Sequence, residues 1–410
     1  MTRAQSRAKK IGRVADAERM AKRRLPKAIF DGIASGAGQE LTLRRNVEAF
    51  DEVQFWPRAA VLHPGYDLST TVLGHKVSTP IMIAPTGSNR MFRREGEPAL
   101  AKVAGELGAV YVTSCFTGYP IEEVMAHAKA PVFFDLYMVG GRSVIAAMLA
   151  RAKQAGCHAL VLTVDLAGTH GVERPGLQQG VPLGVNLATA LQYAPQLITK
   201  LGWTLDFIRD GLQFDCPMWI KPDGRMASFG DVLLAFRSNA VCPTWDDLPW
   251  IRQHWDGPIV MKGILRTDDA LRAANAGVDG IVVSNHGGRN VDGSPATLRV
   301  LPEIVDAVGN RLEVYFDGGI RRGTDVIKAL ALGAKAALIG RAYLYPFAAA
   351  GGAGVQRIYD IFHAHMLATL RSLGCPAVGE LDRSYVTLPE KYQSPSASST
   401  IPIKSVREDV

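Results

Sequence analysis

From Pro80 to Arg341 the chain alternates short apolar runs with longer amphipathic stretches. The apolar runs are Ile81–Ala84, Val110–Thr113, Val132–Phe134, Ala159–Val164, Ile259–Met261, Gly280–Val283, Val314–Phe316 and Ala337–Ile339. Short apolar runs bounded by turn residues read as buried strands. Between them, Glu97–Leu107, Ser143–Ala155, Thr267–Ala276 and Asp325–Leu332 carry helical periodicity. Strand alternating with helix predicts parallel strands joined by right-handed crossovers. About eight such strands close a (β/α)8 barrel, the TIM barrel.

Each run ends in residues that carry chemistry. They are Pro85-Thr86-Gly87, Ser114, Asp135-Leu136-Tyr137, Thr163 with Asp165, Lys262-Gly263, Ser284-Asn285-His286-Gly287-Gly288-Arg289, Asp317-Gly318-Gly319 and Gly340-Arg341. In a parallel barrel these ends gather around one mouth. A cap or a turn explains a polar residue at one strand end, but not at all of them. The sixth run is the richest, placing a hydroxyl, a base and a cation within six positions.

One break interrupts the alternation. Roughly ninety residues separate Asp165 from the run at Pro258, far more than a crossover helix needs. This insertion, about 168–250, holds Trp203, Trp219 and Trp245 and is expected over the mouth as a lid or an assembly surface. Residues 1–79 read as an N-terminal helical segment, 80–385 as the barrel, and the Ser- and Pro-rich 386–410 as an irregular tail.

Composition narrows the class. An apolar fraction of 47% and a charged fraction of 21% are ordinary for a globular enzyme. The formal charge of +7 owes much to a cluster between Arg3 and Lys27. That cluster reads as the polar face of a solvated amphipathic helix, with a weak membrane-surface contact as the alternative; nucleic acid is not an expected partner. No apolar h-region marks a signal peptide, and no apolar stretch is long enough to span a bilayer. The five cysteines are scattered without a Cys-x-x-Cys pair, which fits reduced thiols in a cytoplasm and no metal site.

Taken in order, the strand ends resemble a known family. Ser284–Arg289, then Phe316-Asp317-Gly318-Gly319-Ile320-Arg321-Arg322-Gly323-Thr324-Asp325, then Ile339-Gly340-Arg341 are similar to the FMN-dependent α-hydroxy-acid oxidases and dehydrogenases, which include glycolate oxidase, lactate monooxygenase and mandelate dehydrogenase. Ile83-Ala84-Pro85-Thr86, Leu162-Thr163-Val164-Asp165, Lys262-Gly263, Leu25-Pro26-Lys27 and Ala34-Ser35-Gly36-Ala37 match in the same order. The likeness covers about residues 15–385.

The resemblance implies FMN, bound by Pro85, Thr86, Gly87, Ser114, Asp135, Thr163, Lys262, Ser284, Asp317, Gly318, Gly319, Arg321, Gly340 and Arg341. The glycine motifs end the last two strands, where barrels commonly hold a phosphate, and Arg321 and Arg341 add charge. Asp317 suits ribityl hydroxyls. Lys262 would lie against the N1–C2=O edge, where a cation favours negative charge on the ring. Ser114, Thr163 and Ser284 are candidates for the rest of the ring's edge. His286 would be the base and Asp165 its partner. Arg289 would grip a substrate carboxylate, and Tyr137 would donate to the reacting oxygen. The implied partners are a small-molecule substrate and an electron acceptor, whether oxygen, a quinone or a protein, in a homo-oligomer, a tetramer.

The pattern breaks at five places. Gly32 stands where the family has a carboxylate-binding Tyr, and Val172 where it has an Arg, although Arg174 is two residues on. Asp135 replaces a flavin-facing Gln, Phe116 a Trp, and Gly87 an Ala. The expected substrate is a 2-hydroxy acid, or a related α-substituted carbonyl compound, larger or less anionic than glycolate or lactate and oxidised to the 2-keto product. The alternative is the subgroup that matures the peptide-derived cofactor mycofactocin by oxidising a C–N bond. Lys22–Lys27, Asp67–Val72 and Gly340–Leu344 resemble that subgroup. An FMN-dependent isomerase and a flavin-holding binding protein are the remaining readings.

Overall fold

The computed structural model describes residues 2–166, 171–173, 194–212, 215–237 and 242–389. Its centre is a closed barrel of eight strands. These are β1 (Ile81–Ile83), β2 (Tyr111–Ser114), β3 (Val132–Leu136), β4 (Ala159–Thr163), β5 (Ile259–Ile264), β6 (Gly280–Val283), β7 (Glu313–Asp317) and β8 (Ala336–Ile339). Neighbours in sequence are neighbours in space, every pair is parallel, and β8 closes on β1 through Ala337–Ile81 and Ile339–Ile83. The (β/α)8 expectation holds, and the strands follow the apolar runs closely, the largest departure being the fifth, which runs on from Met261 to Ile264.

The strands look uniformly apolar because both faces are buried. Alternation still divides them. Met82, Val112, Phe133, Val161, Val260, Val282, Tyr315 and Leu338 point inward and form one cluster. Ile83, Tyr111, Phe134, Leu162, Met261, Ile281, Phe316 and Ile339 point outward and pack beneath the helices in a second, larger cluster.

Four helices precede the barrel: α1 (Arg3–Ala8), α2 (Val14–Arg24), α3 (Lys27–Ala34) and α4 (Leu41–Glu52). The segment before residue 80 also holds short strands, including a hairpin of Thr70–Val72 with His75–Val77. Helix α2 packs on helix Arg341–Ala350, and the Phe30 and Tyr345 rings stack at 6.1 Å. Gln54–Phe55 pairs antiparallel with Val386–Thr387. The expected irregular tail therefore begins with a short strand, because buried Val386 completes the packing around Phe55. Residues 390–410 lie outside the described residues.

The described part of the insertion contains helices Leu201–Arg209 and Phe229–Arg237 and a hairpin of Asp215–Ile220 with Met226–Ser228. It docks on loops at the C-terminal ends of the strands. Trp203 Nε1 donates to the Met91 carbonyl at 2.7 Å, and Arg90 holds Asp210 through two bonds of 2.7 and 2.9 Å. Buried Trp219 lies against Gly140, whose added Cβ would come within 2.6 Å of its Nε1. Residues 167–170, 174–193 and 238–241, where a lid over the mouth was also expected, lie outside the described residues.

Gly323 opens the helix Gly323–Ala331 where it crosses the 22-residue helix Gly352–Leu373. A Cβ there would meet the Phe362 carbonyl oxygen at 2.2 Å. Backbone cannot yield as a flexible side chain does, so Gly323→Ala is expected to cost about 1–3 kcal/mol as overpacking. Gly65→Ala, at a site with open space, is the control. Thermal melts of the two variants check this; equal melting temperatures would contradict the close crossing.

Candidate active site

Two residues beyond each inward-facing core position the strands carry polar or small groups. Val112 leads to Ser114, Phe133 to Asp135, Val161 to Thr163, Val260 to Lys262, Val282 to Ser284, Tyr315 to Asp317 and Leu338 to Gly340. A period of two therefore places these residues as one layer on top of the barrel core. The side chains of Ser114, Asp135, Thr163, Lys262, Ser284 and Asp317 are all buried.

Lys262 is the centre of this layer. Its Nζ donates to Ser284 Oγ at 3.2 Å and lies 3.4 Å from Asp317 Oδ2. Burial opposes the ammonium, but the charges of its acidic neighbours, Asp317 first and then Asp165, outweigh that and raise its pKa. Asp135 Oδ1 accepts from Thr163 Oγ1 at 2.6 Å.

The sixth strand delivers the His loop. His286 Nδ1 lies 3.0 Å from Asp165 Oδ1. Burial would push the Asp165 carboxyl up, yet the His286 and Lys262 charges more than offset it and hold its pKa below the ordinary value. With Asp165 ionised, the hydrogen between them sits on Nδ1, which leaves Nε2 as the ring's acceptor. Gly263, at φ +114°, makes this approach possible, since a Cβ there would come within 2.5 Å of Asp165 Cβ.

The loop is strained and braced. His286, Gly287 and Gly288 all have positive φ, at 56°, 64° and 75°. A non-glycine residue there costs on the order of 1–3 kcal/mol and persists only when its surroundings impose it. Ser284 Oγ accepts from the His286 N–H at 3.1 Å. Asn285 and Asn46 of α4 exchange two amide bonds of 2.8 Å, and Asn290 Nδ2 donates to the Asp165 carbonyl at 2.7 Å. Sequence reasoning assigned these three asparagines no role. A signal existed for Asn46, which interrupts the buried stripe Thr42, Ala49 and Phe50 on α4.

Two arginines converge on the end of α3. Arg289 Nη1 donates to the carbonyls of Gly32 (2.8 Å) and Ser35 (3.3 Å). Arg341 spends Nε, Nη1 and Nη2 on the carbonyls of Ile33, Gly287 and Ser35, at 2.7, 2.9 and 2.8 Å. The helix C-terminus is a natural seat for cations. Arg289 is exposed, and desolvation by the protein around it lowers its pKa. Tyr137 is buried, its ring 5.0 Å from that of Phe116, and burial with the charges of Asp135 and Asp165 holds its pKa well above the ordinary value.

Several features test whether a flavin nucleotide fits. Asp135 Oδ2, Asp165 Oδ2 and Asp317 Oδ1 are buried and have no hydrogen-bond partner among the described residues. Such acceptors call for donors from a bound group. Gly340 heads the ten-residue helix Arg341–Ala350, and a Cβ there would meet nothing within 4 Å, so space lies open at a helix N-terminus suited to a phosphate. Gly318 and Gly319 owe their lack of a side chain to packing: their Cβ atoms would reach Thr297 Oγ1 at 2.6 Å and the Asn46 carbonyl at 1.9 Å. Arg321 caps its own loop by donating to the Ile320 carbonyl at 2.8 Å. Pro85, Thr86 and Gly87 are half-buried on the loop after β1, and a Cβ on Gly87 would lie 3.1 Å from Phe116 Cβ. Val172 is held at the rim by a bridge to Gly38, and Arg174 lies outside the described residues.

Comparison with known proteins agrees. Residues 21–388 match the family model described as FMN-dependent dehydrogenase. Over 382 residues the chain is 42% identical to pre-mycofactocin synthase of Mycobacterium tuberculosis, covering 92% of this chain and 95% of that one. It is 39% identical over 378 residues to a peroxisomal (S)-2-hydroxyacid oxidase of Arabidopsis thaliana, covering 92% and 96%. The crystal structure of the monotopic membrane protein (S)-mandelate dehydrogenase superposes with a TM-score of 0.84 at 31% identity, over 92% of this chain and all of that one. The buried layer over the barrel and the match along nearly its whole length place this chain in the FMN-dependent dehydrogenase family, as an oxidoreductase that works with FMN.

Proposed function

We propose that the enzyme oxidises a 2-hydroxy acid, or a closely related α-substituted carbonyl compound, to the 2-keto product. The observation that carries this is the Asp165–His286 pair at 3.0 Å, with buried Lys262 on the neighbouring strand and Arg289 in the same loop as the histidine. FMN, when bound, supplies the two-electron acceptor. His286 Nε2 takes a proton from the substrate as the α-carbon is oxidised, and Asp165 stabilises the resulting imidazolium. Arg289 keeps one nitrogen on the α3 carbonyls and turns its remaining donors to the substrate carboxylate. Tyr137 donates to the reacting oxygen. Residues 80–385 hold the cofactor in this reading, and 1–79 brace it.

The substrate is larger than glycolate or lactate. Gly32 lies beside Arg289, and a side chain built there would meet nothing within 4 Å. A second reading draws on the same opening and on the 42% identity to pre-mycofactocin synthase. It is oxidative deamination of a peptide-derived intermediate, with C–N oxidation replacing C–O oxidation on the same residues. Anaerobic bleaching of the flavin against a panel of hydroxy acids, hydroxy amides and amines separates the two.

We also infer that one face of the molecule rests on an anionic membrane. Among the described residues no helix is long and apolar enough to cross a bilayer. Yet Ile198, Leu201, Leu205 and Ile208 form an exposed stripe at helical spacing, while Trp203 packs inward. Exposed Lys22, Arg23, Lys27 and Arg209 lie around it, and Lys200 ties it to α2 through the carbonyls of Lys22 and Arg23 at 3.2 and 3.0 Å. An apolar stripe with a basic flank is the chemistry of an interfacial helix. A lipid-borne quinone is then the acceptor within reach.

Three outcomes follow. His286→Ala keeps FMN but slows flavin reduction by substrate by about 10²–10⁴-fold, with reoxidation little changed; stopped-flow traces showing normal reduction would remove His286 from its role. Gly32→Tyr with Val172→Arg improves kcat/KM for lactate and glycolate and impairs it for longer hydroxy acids. Efficient turnover of glycolate by the unaltered enzyme would instead mean that the carboxylate clamp is intact. The protein co-sediments with vesicles containing phosphatidylglycerol, and Leu201→Ser with Leu205→Ser releases it. Dimerisation through the stripe without lipid, seen by analytical ultracentrifugation, would overturn the membrane assignment.

A further inference from the structure

Asp135 is a fully buried carboxyl in the polar layer above the barrel core, and among the described residues no cation is in contact with it. One oxygen takes the Thr163 hydroxyl, and the other has no hydrogen-bond partner among the described residues. Lys262, whose charge reaches it, is committed to Ser284 and Asp317. Asp165 adds a second carboxylate, held ionised by His286. A third buried anion beside one ammonium has no compensation.

We propose that Asp135 is held as the neutral carboxylic acid and couples one proton to the reduction of the flavin. As a neutral acid it offers what an amide offers, one donor and one acceptor, at a position where the related enzymes carry Gln. Oδ2 is the atom that holds the proton, because Oδ1 already accepts from Thr163 and Oδ2 has no hydrogen-bond partner among the described residues. When two electrons arrive on the ring, negative charge beside Asp135 strengthens its hold on that proton. When solution pH has removed the proton first, reduction draws one back from solvent onto Oδ2. Two electrons and one extra proton are then taken up together.

The groups around Asp135 leave it as the one that titrates. Cys115 and Tyr137, its other ionisable neighbours, have pKa values pushed well above their ordinary range by burial and stay neutral. Burial, aided by Asp165 and opposed by the Thr163 bond and Lys262, pushes the Asp135 carboxyl up to about 7. The sign follows: below that pH the site is neutral, and above it a carboxylate opposes electrons on the ring.

The test is redox potentiometry of the FMN-loaded protein from pH 6 to 9, comparing the unaltered chain with Asp135→Asn and Asp135→Gln. Above neutrality the unaltered protein should lose about 30 mV more per tenfold fall in proton concentration than either variant, one proton per two electrons. It should also show an infrared carboxylic-acid band at pH 6 that fades towards pH 9. Parallel potential–pH curves in all three proteins overturn the proposal, and so does absence of that band. The infrared arm needs no variant to hold FMN. Neither arm uses a substrate, so failure of the hydroxy-acid reading leaves this one standing.

Discussion

A buried ammonium needs compensation, and the top of this barrel is organised around that need. Lys262 sits buried at an inward-facing position one layer above Val260. Left unpaired there, its charge would cost several kcal/mol or be lost to deprotonation. Asp317 from β7, Ser284 from β6 and the field of Asp165 beyond β4 keep it charged. Each of those groups then has a second duty. Ser284 fixes the backbone of His286, Asp165 takes the imidazole, and Asp317 has one buried oxygen without a hydrogen-bond partner among the described residues. Removing the ammonium would therefore disturb the base as well as the cofactor site.

The His loop shows what it takes to hold three consecutive residues at positive φ. Two of them are glycines, which adopt that conformation without penalty. His286 is not, and the surrounding bonds must impose its shape. The reciprocal amide pair of Asn46 and Asn285 joins the loop to α4, while the two arginines join it to the end of α3. The N-terminal helices are thus part of the active-site wall. Their packing on helix Arg341–Ala350 carries the same bracing to the open helix terminus after β8.

The barrel was legible because eight short apolar runs, each ending in glycine or a functional group, have few other ways to fold. The polar layer was legible because each strand end lies at a fixed step beyond its core residues. What stayed hidden is long-range. Nothing local in Asn46 or Asn290 announces a partner far along the chain. Gly318 and Gly319 read as a phosphate loop, while the structure adds that α4 and Thr297 occupy the space a side chain would need. Arg341 read as charge for a phosphate, and its donors are turned to three carbonyls. In both cases sequence identified the residue, and only packing revealed which neighbour claims it.

The altered positions converge on one region. Gly32 stands beside Arg289 where the resemblance leads one to expect a Tyr, Val172 bridges Gly38 where it leads one to expect an Arg, and Gly87 lies against Phe116. Arg289 meanwhile keeps its bonds to the carbonyls of Gly32 and Ser35, so the end of α3 fixes where its remaining donors can reach. The same layer that keeps Lys262 charged continues to serve the reaction, because none of these changes reaches Asp165, His286 or Asp317.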